Sequence, residues 1–226
     1  MVSGLCIGAN RLKKLLIIGA GTSFTEACSL ATRGQFHFQH AEVSAADGFT
    51  FDVSQVLASF SPEDVNVFVA LDARAINSAR ATLIGTLSNA GYTLANLIAP
   101  ESHVADSVRL GTNIYVGAGC HLLEHVSVGD GAWLESAVLV DHRAAIDSYA
   151  TLGIGVIVGE AGKVGRNSTL SAGSQVRSGG VVGEYCEWLL GGKVPAALPD
   201  RSFFDDTLPE GAKIISTKRA QAQSRN

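Results

Sequence analysis

The chain has 226 residues, 46% of them hydrophobic and 17% charged, with 25 glycines, five prolines and a formal net charge of −4. That glycine content excludes a helix bundle, and the apolar fraction excludes a disordered chain. The charge gives no reason to expect nucleic acid or an anionic membrane as partner, and no apolar run approaches the roughly 20 residues that span a bilayer.

The N-terminus, MVSGLCIGANRLKK, has its charges after a short apolar piece, the reverse of a secretory signal. Cys6, Cys28, Cys120 and Cys186 lie far apart and form no CxxC pair, as expected of reduced thiols in a cytoplasmic protein. From residue 12, LKKLLIIGAG reads as a buried strand running into glycines. SFTEACSLATRG follows as a helix, with Ser23 as candidate N-cap and Gly34 past its end. FHFQHAEV and NVFVALD read as strands separated by the helical DVSQVLASF, and ARAINSARATLIGTLSNAG suits a helix ending near Gly91. This alternation predicts a small, Rossmann-like parallel α/β unit over residues 1–95. GAGTSF supplies Gly19 and Gly21, but Phe24 stands where a GxGxxG fingerprint has its third glycine. No well-placed acidic residue is predicted to end the second strand, although Glu42 is near, so NAD is not expected. A phosphate-bearing ligand at the helix N-terminus stays open, with Gly19, Gly21 and Thr22 as candidate contacts.

After residue 95 a repeat takes over. Every sixth residue from Ile98 to Val182 is Ile, Leu or Val, fifteen positions without a break. The next position is often glycine or acidic, and the residue two before is mostly small or β-branched. One inward aliphatic every six residues specifies a parallel β-helix, three flat faces making a coil of 18 residues, over residues 96–197. Coils stack roughly 4.8 Å apart, and Trp188, next in register, is expected to close the stack. Residues 198–226 lose the repeat and end in TKRAQAQSRN, which reads as a mobile C-terminal tail.

Residues 18 apart stack, so Glu124, His142 and Glu160 form one column with the imidazole between two carboxylates. Converging carboxylates would orient the ring and favour its protonated form, as suits a general base. Glu124 or Glu160 is then the orienting group, and the backbone amides near Gly159 and Glu160 are candidate oxyanion donors. Glu135 and Asp141 occupy the position after a ladder residue and are read as structural. His103 and His121 stack on one edge; His37 and His40 flank a strand and carry no pattern.

The hexads, the leading α/β unit, the VLVDHRAAID segment and GGKVPA near the end together resemble the hexapeptide-repeat, left-handed β-helix acyltransferases. The resemblance is to the branch of sialic-acid O-acetyltransferases and bacillosamine and perosamine N-acetyltransferases, over roughly residues 14–197. It implies acetyl transfer from acetyl-coenzyme A to an amine of a sugar, nucleotide-linked, in surface-glycan synthesis, with His142 as base. It also implies a homotrimer with sites between subunits and no metal. Coenzyme A would lie along the coils against Gly159, Glu160, Ala172 and Lys193, the last pairing with a phosphate, while Arg143 would meet an anionic group of the acceptor. Four positions depart from the branch: Arg143 replaces an acidic residue, Thr151 a second histidine, Glu135 an asparagine, and TSF at 22–24 a loop often reading GHG. O-acetylation, a non-catalytic binding or assembly protein, and a zinc hydratase using His121, His125 and His142 stay open as alternatives.

Overall fold

The computed structural model describes residues 13–45, 50–73 and 76–214. The N-terminal dodecapeptide, with Cys6 and most of the segment read above as the reverse of a secretory signal, and the final TKRAQAQSRN lie outside the described residues. The α/β unit runs β1 (Lys14–Ala20), α1 (Gly21–Arg33), β2 (Phe38–Glu42), α2 (Ser54–Ser59), β3 (Val65–Leu71), α3 (Ser78–Asn89) and β4 (Thr93–Leu94). The four strands are parallel in the order β2-β1-β3-β4. Leu16, Ile17 and Ile18 are fully buried because helices cover both faces of the sheet, which explains an unbroken apolar run where an alternating strand would show polar residues. Ile17 and Phe68 pack with Ala27, Leu30 and Ala31 of α1; Leu16, Val67 and Val69 pack with Leu83, Ile84 and Leu87 of α3.

Helix α1 starts three residues earlier than expected. Ala20 is its N-cap and Ser23 lies buried in the first turn without capping through its side chain. The capping acceptor comes from across the sheet: the Ser23 amide donates to Asp72 Oδ1 at 2.7 Å. Sequence neighbours alone do not reveal a cap supplied 49 residues away.

The ladder forms as predicted, a left-handed β-helix built from two-residue strands whose second residue points inward. Ile98, Val116, Leu134, Leu152, Leu170 and Trp188 align on the first face. Val104, Leu122, Val140, Val158 and Val176 align on the second. Leu110, Val128, Ile146, Val164, Val182 and Leu198 align on the third. The glycines that follow ladder residues answer to close approach: a Cβ on Gly117 would stand 2.7 Å from the Ser136 nitrogen of the next coil, and one on Gly159 2.6 Å from that of Ser178. Two residues further on, the corners from Asn113 onward take a left-handed conformation, at His125, Arg143, Gly155 and Asn167 among others.

The end of the stack differs from expectation. Trp188 does not close it; Phe204 packs on Trp188 with ring centroids 5.1 Å apart. Strand Ser202–Asp205 extends the first face beyond Trp188 and turns back into the antiparallel strand Leu208–Lys213. The expected mobile tail is therefore a strand pair as far as Lys213, because Phe203 and Phe204 supply one more rung outside the six-residue period.

The α/β unit sits on the first face. There the outward-pointing Tyr115 and Trp133 stack at 4.0 Å and join the core on the α1 side of the sheet. A polar joint reinforces this seam. Asn113 pairs with both backbone groups of Val69, accepting at 2.7 Å and donating at 3.0 Å. Arg80, almost wholly buried, donates to Leu71 O, Tyr149 O and Thr151 Oγ1, while Thr151 donates to Asn77 Oδ1. Asn167 donates to Ile76 O. Burial lowers the Arg80 pKa to about 10, against the opposing pull of Asp72. Among the described residues no helix is long and apolar enough to cross a membrane.

Candidate active site

His142 sits on the four-residue corner between the second-face strand Leu139–Val140 and the third-face strand Ala145–Ile146. The corner is exposed, and the stacking rule holds: Glu124, one coil back, places Oε2 2.8 Å from Nε2. The other ring nitrogen, Nδ1, lies 2.7 Å from Asp141 Oδ1, which also accepts the His142 backbone amide. The imidazole is thus held between two carboxylates, but the second is Asp141 and not Glu160. Glu160 is drawn aside by Arg143, with which it forms an ion pair and hydrogen bond. The hydrogen bond that Nδ1 donates to Asp141 raises the His142 pKa from its ordinary 6.5; desolvation opposes it, and the charges of Glu124, Asp141 and Glu160 add to the rise. The same hydrogen bond holds the Asp141 carboxyl below its ordinary value.

Asp141 is the residue that sequence reading assigned to turn structure alone. The equivalent positions one coil back and one coil on are Leu123 and Gly159, so an acidic side chain beside a histidine was the available signal. The expected oxyanion donors are also corrected. The Gly159 amide belongs to the ladder, donating to Val176 O at 2.8 Å, and the Glu160 amide donates to the Asp141 carboxylate. In a β-helix the coil-to-coil bonds consume these groups before any ligand can.

The four residues expected at coenzyme A surround the second face. Gly159 and Glu160 lie on its His142 corner, exposed Ala172 on the opposite corner, and exposed Lys193 at its far end, beside the bridge from Gln175. The outward residues of that face are His103, His121, Leu139, Ile157 and Gln175; the two histidine rings lie tilted with centroids 5.9 Å apart, and Leu139 and Ile157 are exposed. Thr151, in the position of a second histidine, is far from this corner and buried in the polar joint. Among the described residues of the single chain no group of three His, Cys, Asp or Glu side chains is placed to hold a metal ion.

In the α/β unit, Gly19 is obligatory: a Cβ would lie 1.8 Å from Ala70 O of β3. Gly21 takes φ +79°, and a Cβ there would meet Asp72 Oδ2 at 2.3 Å. Thr22 is exposed beside them. Glu42 is the last residue of β2, so an acidic residue does end the second strand; it lines a cleft with Ser44, Asp52, Gln55 and Ser59. A second cleft lies between α1 and the coil corner that follows the first face, lined by Glu26, Arg33, Tyr115, Glu135 and Ile154. Burial raises both carboxyl pKa values there, and Glu135 and Asp72 push Glu26 further up.

No protein-family model matches the sequence, and no curated protein sequence matches it. Among solved structures, the chain is similar to a histidine-to-asparagine variant of perosamine N-acetyltransferase from Caulobacter crescentus, in complex with coenzyme A and GDP-perosamine. The TM-score is 0.74 at 24% identity, covering 85% of this chain and 93% of that one. WeeI from Acinetobacter baumannii is similar at a TM-score of 0.58 and 16% identity, covering 84% of this chain and 95% of that one. These likenesses establish the fold over nearly the whole described chain.

Proposed function

We propose that the protein transfers the acetyl group of acetyl-coenzyme A to the amine of a nucleotide-linked amino sugar, in the cytoplasm, as a step of surface-glycan synthesis. The observation that carries this reading is His142, an exposed imidazole on a coil corner with a carboxylate at each ring nitrogen. Asp141 fixes Nδ1 as the protonated nitrogen and leaves Nε2 for chemistry. Glu124 holds Nε2 in the free protein and gives way to the incoming amine. The amine nitrogen attacks the thioester carbonyl, His142 takes its proton, the C–S bond breaks, and the proton leaves with the coenzyme A thiolate. The similarity in fold to a transferase solved with coenzyme A and GDP-perosamine supports both the donor and the acceptor class.

Topology supports a particular assembly. The corner bearing His142 is opposite the first face, and the first face is the one covered by the chain's own α/β unit. A sugar nucleotide held at the carboxyl ends of β1–β3, with its ribose against Glu42, is on the wrong side of the prism to reach its own His142. A homotrimer with sites between subunits resolves this, and exposed Leu139 and Ile157 on the second face and Val181 on the third suit subunit contacts. Coenzyme A would then run along the second face between Ala172 and Glu160 toward Lys193. Thiol release from acetyl-coenzyme A across a panel of nucleotide-linked sugars tests the reading. Release with amino sugars and not with their hydroxyl-only counterparts is expected; no turnover together with no coenzyme A binding would overturn it.

A further inference from the structure

In an open parallel sheet, ligands bind where strand order reverses, outside the carboxyl ends of the strands, and anionic groups favour the N-terminus of the helix that follows the first strand. Here the reversal lies between β1 and β3, and the helix is α1. That helix end is already taken. Asp72, the residue after β3, puts Oδ1 2.7 Å from the Ser23 amide, the third residue of α1, in the place of an N-cap side chain. Its other oxygen crowds Gly21, where a Cβ would lie 2.3 Å away. The loop is therefore built around this carboxylate. Asp72 is half-buried beside the crevice. Its charge is felt by neighbours on both sides, favouring the charged form of Arg80 and disfavouring that of Glu26.

We infer that Asp72 is a specificity-determining residue that closes the α1 N-terminus to phosphate, so that the crevice between β1 and β3 receives the hydrogen-bond donors of the acceptor, hydroxyl or ammonium, and not its anionic groups. A diphosphate placed on α1 would stand against a carboxylate already seated on the amide it needs. The diphosphate of a nucleotide-linked acceptor lies away from α1. Gly19, Gly21 and Thr22 then contribute through close backbone approach and not as a phosphate cradle. The inference rests on the α/β unit being the acceptor-holding part, but its test needs no turnover, so the two readings fail separately.

The test is a titration of the full-length protein with inorganic pyrophosphate, followed at the Gly21, Thr22 and Ser23 amide resonances. In the wild type these resonances stay unmoved. Asp72→Asn keeps an oxygen for the Ser23 amide and removes the charge, while Asp72→Ala leaves the amide bare. Both variants should show saturable shifts at Ser23, the alanine variant binding at least about tenfold tighter than the wild type. Saturable binding of pyrophosphate at Ser23 in the wild type overturns the inference, and that arm needs no variant to fold. Folded variants whose Ser23 resonance ignores pyrophosphate overturn it as well.

Discussion

His142 and Thr151 are nine residues apart, half a coil, and the same repeat gives them opposite fates. Position 142 falls on the corner farthest from the α/β unit, where side chains point into solvent and carboxylates from the same and the preceding coil converge on the ring. Position 151 falls on the first face, beneath α3, where the hydroxyl accepts from Arg80 and donates to Asn77. The periodic scaffold decides direction, and the non-periodic unit packed on it decides environment. Thr151 therefore closes a seam, and the absence of a histidine at 151 says nothing against the chemistry at His142.

Breaking the seam should have the largest effect on stability. Arg80→Ala leaves Leu71 O, Tyr149 O and Thr151 Oγ1 without their donor and opens a cavity beside Trp133, so a loss of about 2–4 kcal/mol is expected in denaturant unfolding. The His142 corner, on the far side of the prism, should keep its hydrogen bonds. Thr151→His sharpens the contrast. The larger ring must enter a filled joint, at a cost of about 1–3 kcal/mol, and transfer should not increase. A rise in kcat with unchanged melting would show that position 151 belongs to the site after all.

At the corner the effects are electrostatic. The His142 pKa is raised, so the ring is a base only above an apparent midpoint higher than 6.5. The stabilising contact of imidazolium with carboxylate is present below 6.5 and is lost as pH rises through the higher folded value. Asp141→Asn removes the first cause of the shift. Its pH–rate midpoint should move down toward 6.5, while the plateau rate falls roughly tenfold as the ring loses its orientation. Glu160→Gln should move the midpoint far less, because Arg143 already holds that carboxylate. The smallest effect is expected of Arg143→Gly. It relieves a left-handed φ of 60° and deletes an exposed ion pair, two opposed changes that leave the melting free energy within about 0.5 kcal/mol.

The regular part of the molecule was legible in the sequence because each ladder residue has one role. Ile98 to Val182 give the coil count, the register and the column that brings Glu124 to His142. The order of strands and helices in the α/β unit was likewise readable, from apolar runs and glycine stops. What escaped depends on contacts that no period encodes. The N-cap of α1 comes from Asp72 in another element, and Phe204 replaces Trp188 as the end of the stack from outside the hexads. At the site, stacking predicted two symmetrical carboxylates about His142, but Arg143, adjacent in sequence, captures one, and Asp141 takes its place at Nδ1. Spacing locates a side chain; competition among neighbours chooses its partner.

The central claim, that His142 is the base for acetyl transfer, is tested most directly by the kcat/KM of His142→Ala against wild type with acetyl-coenzyme A and the best amino-sugar acceptor. The side chain is exposed and carries no core contact, so melting and coenzyme A affinity should be unchanged while kcat/KM falls at least about a hundredfold. A folded variant whose kcat/KM falls by less than about tenfold would contradict the account.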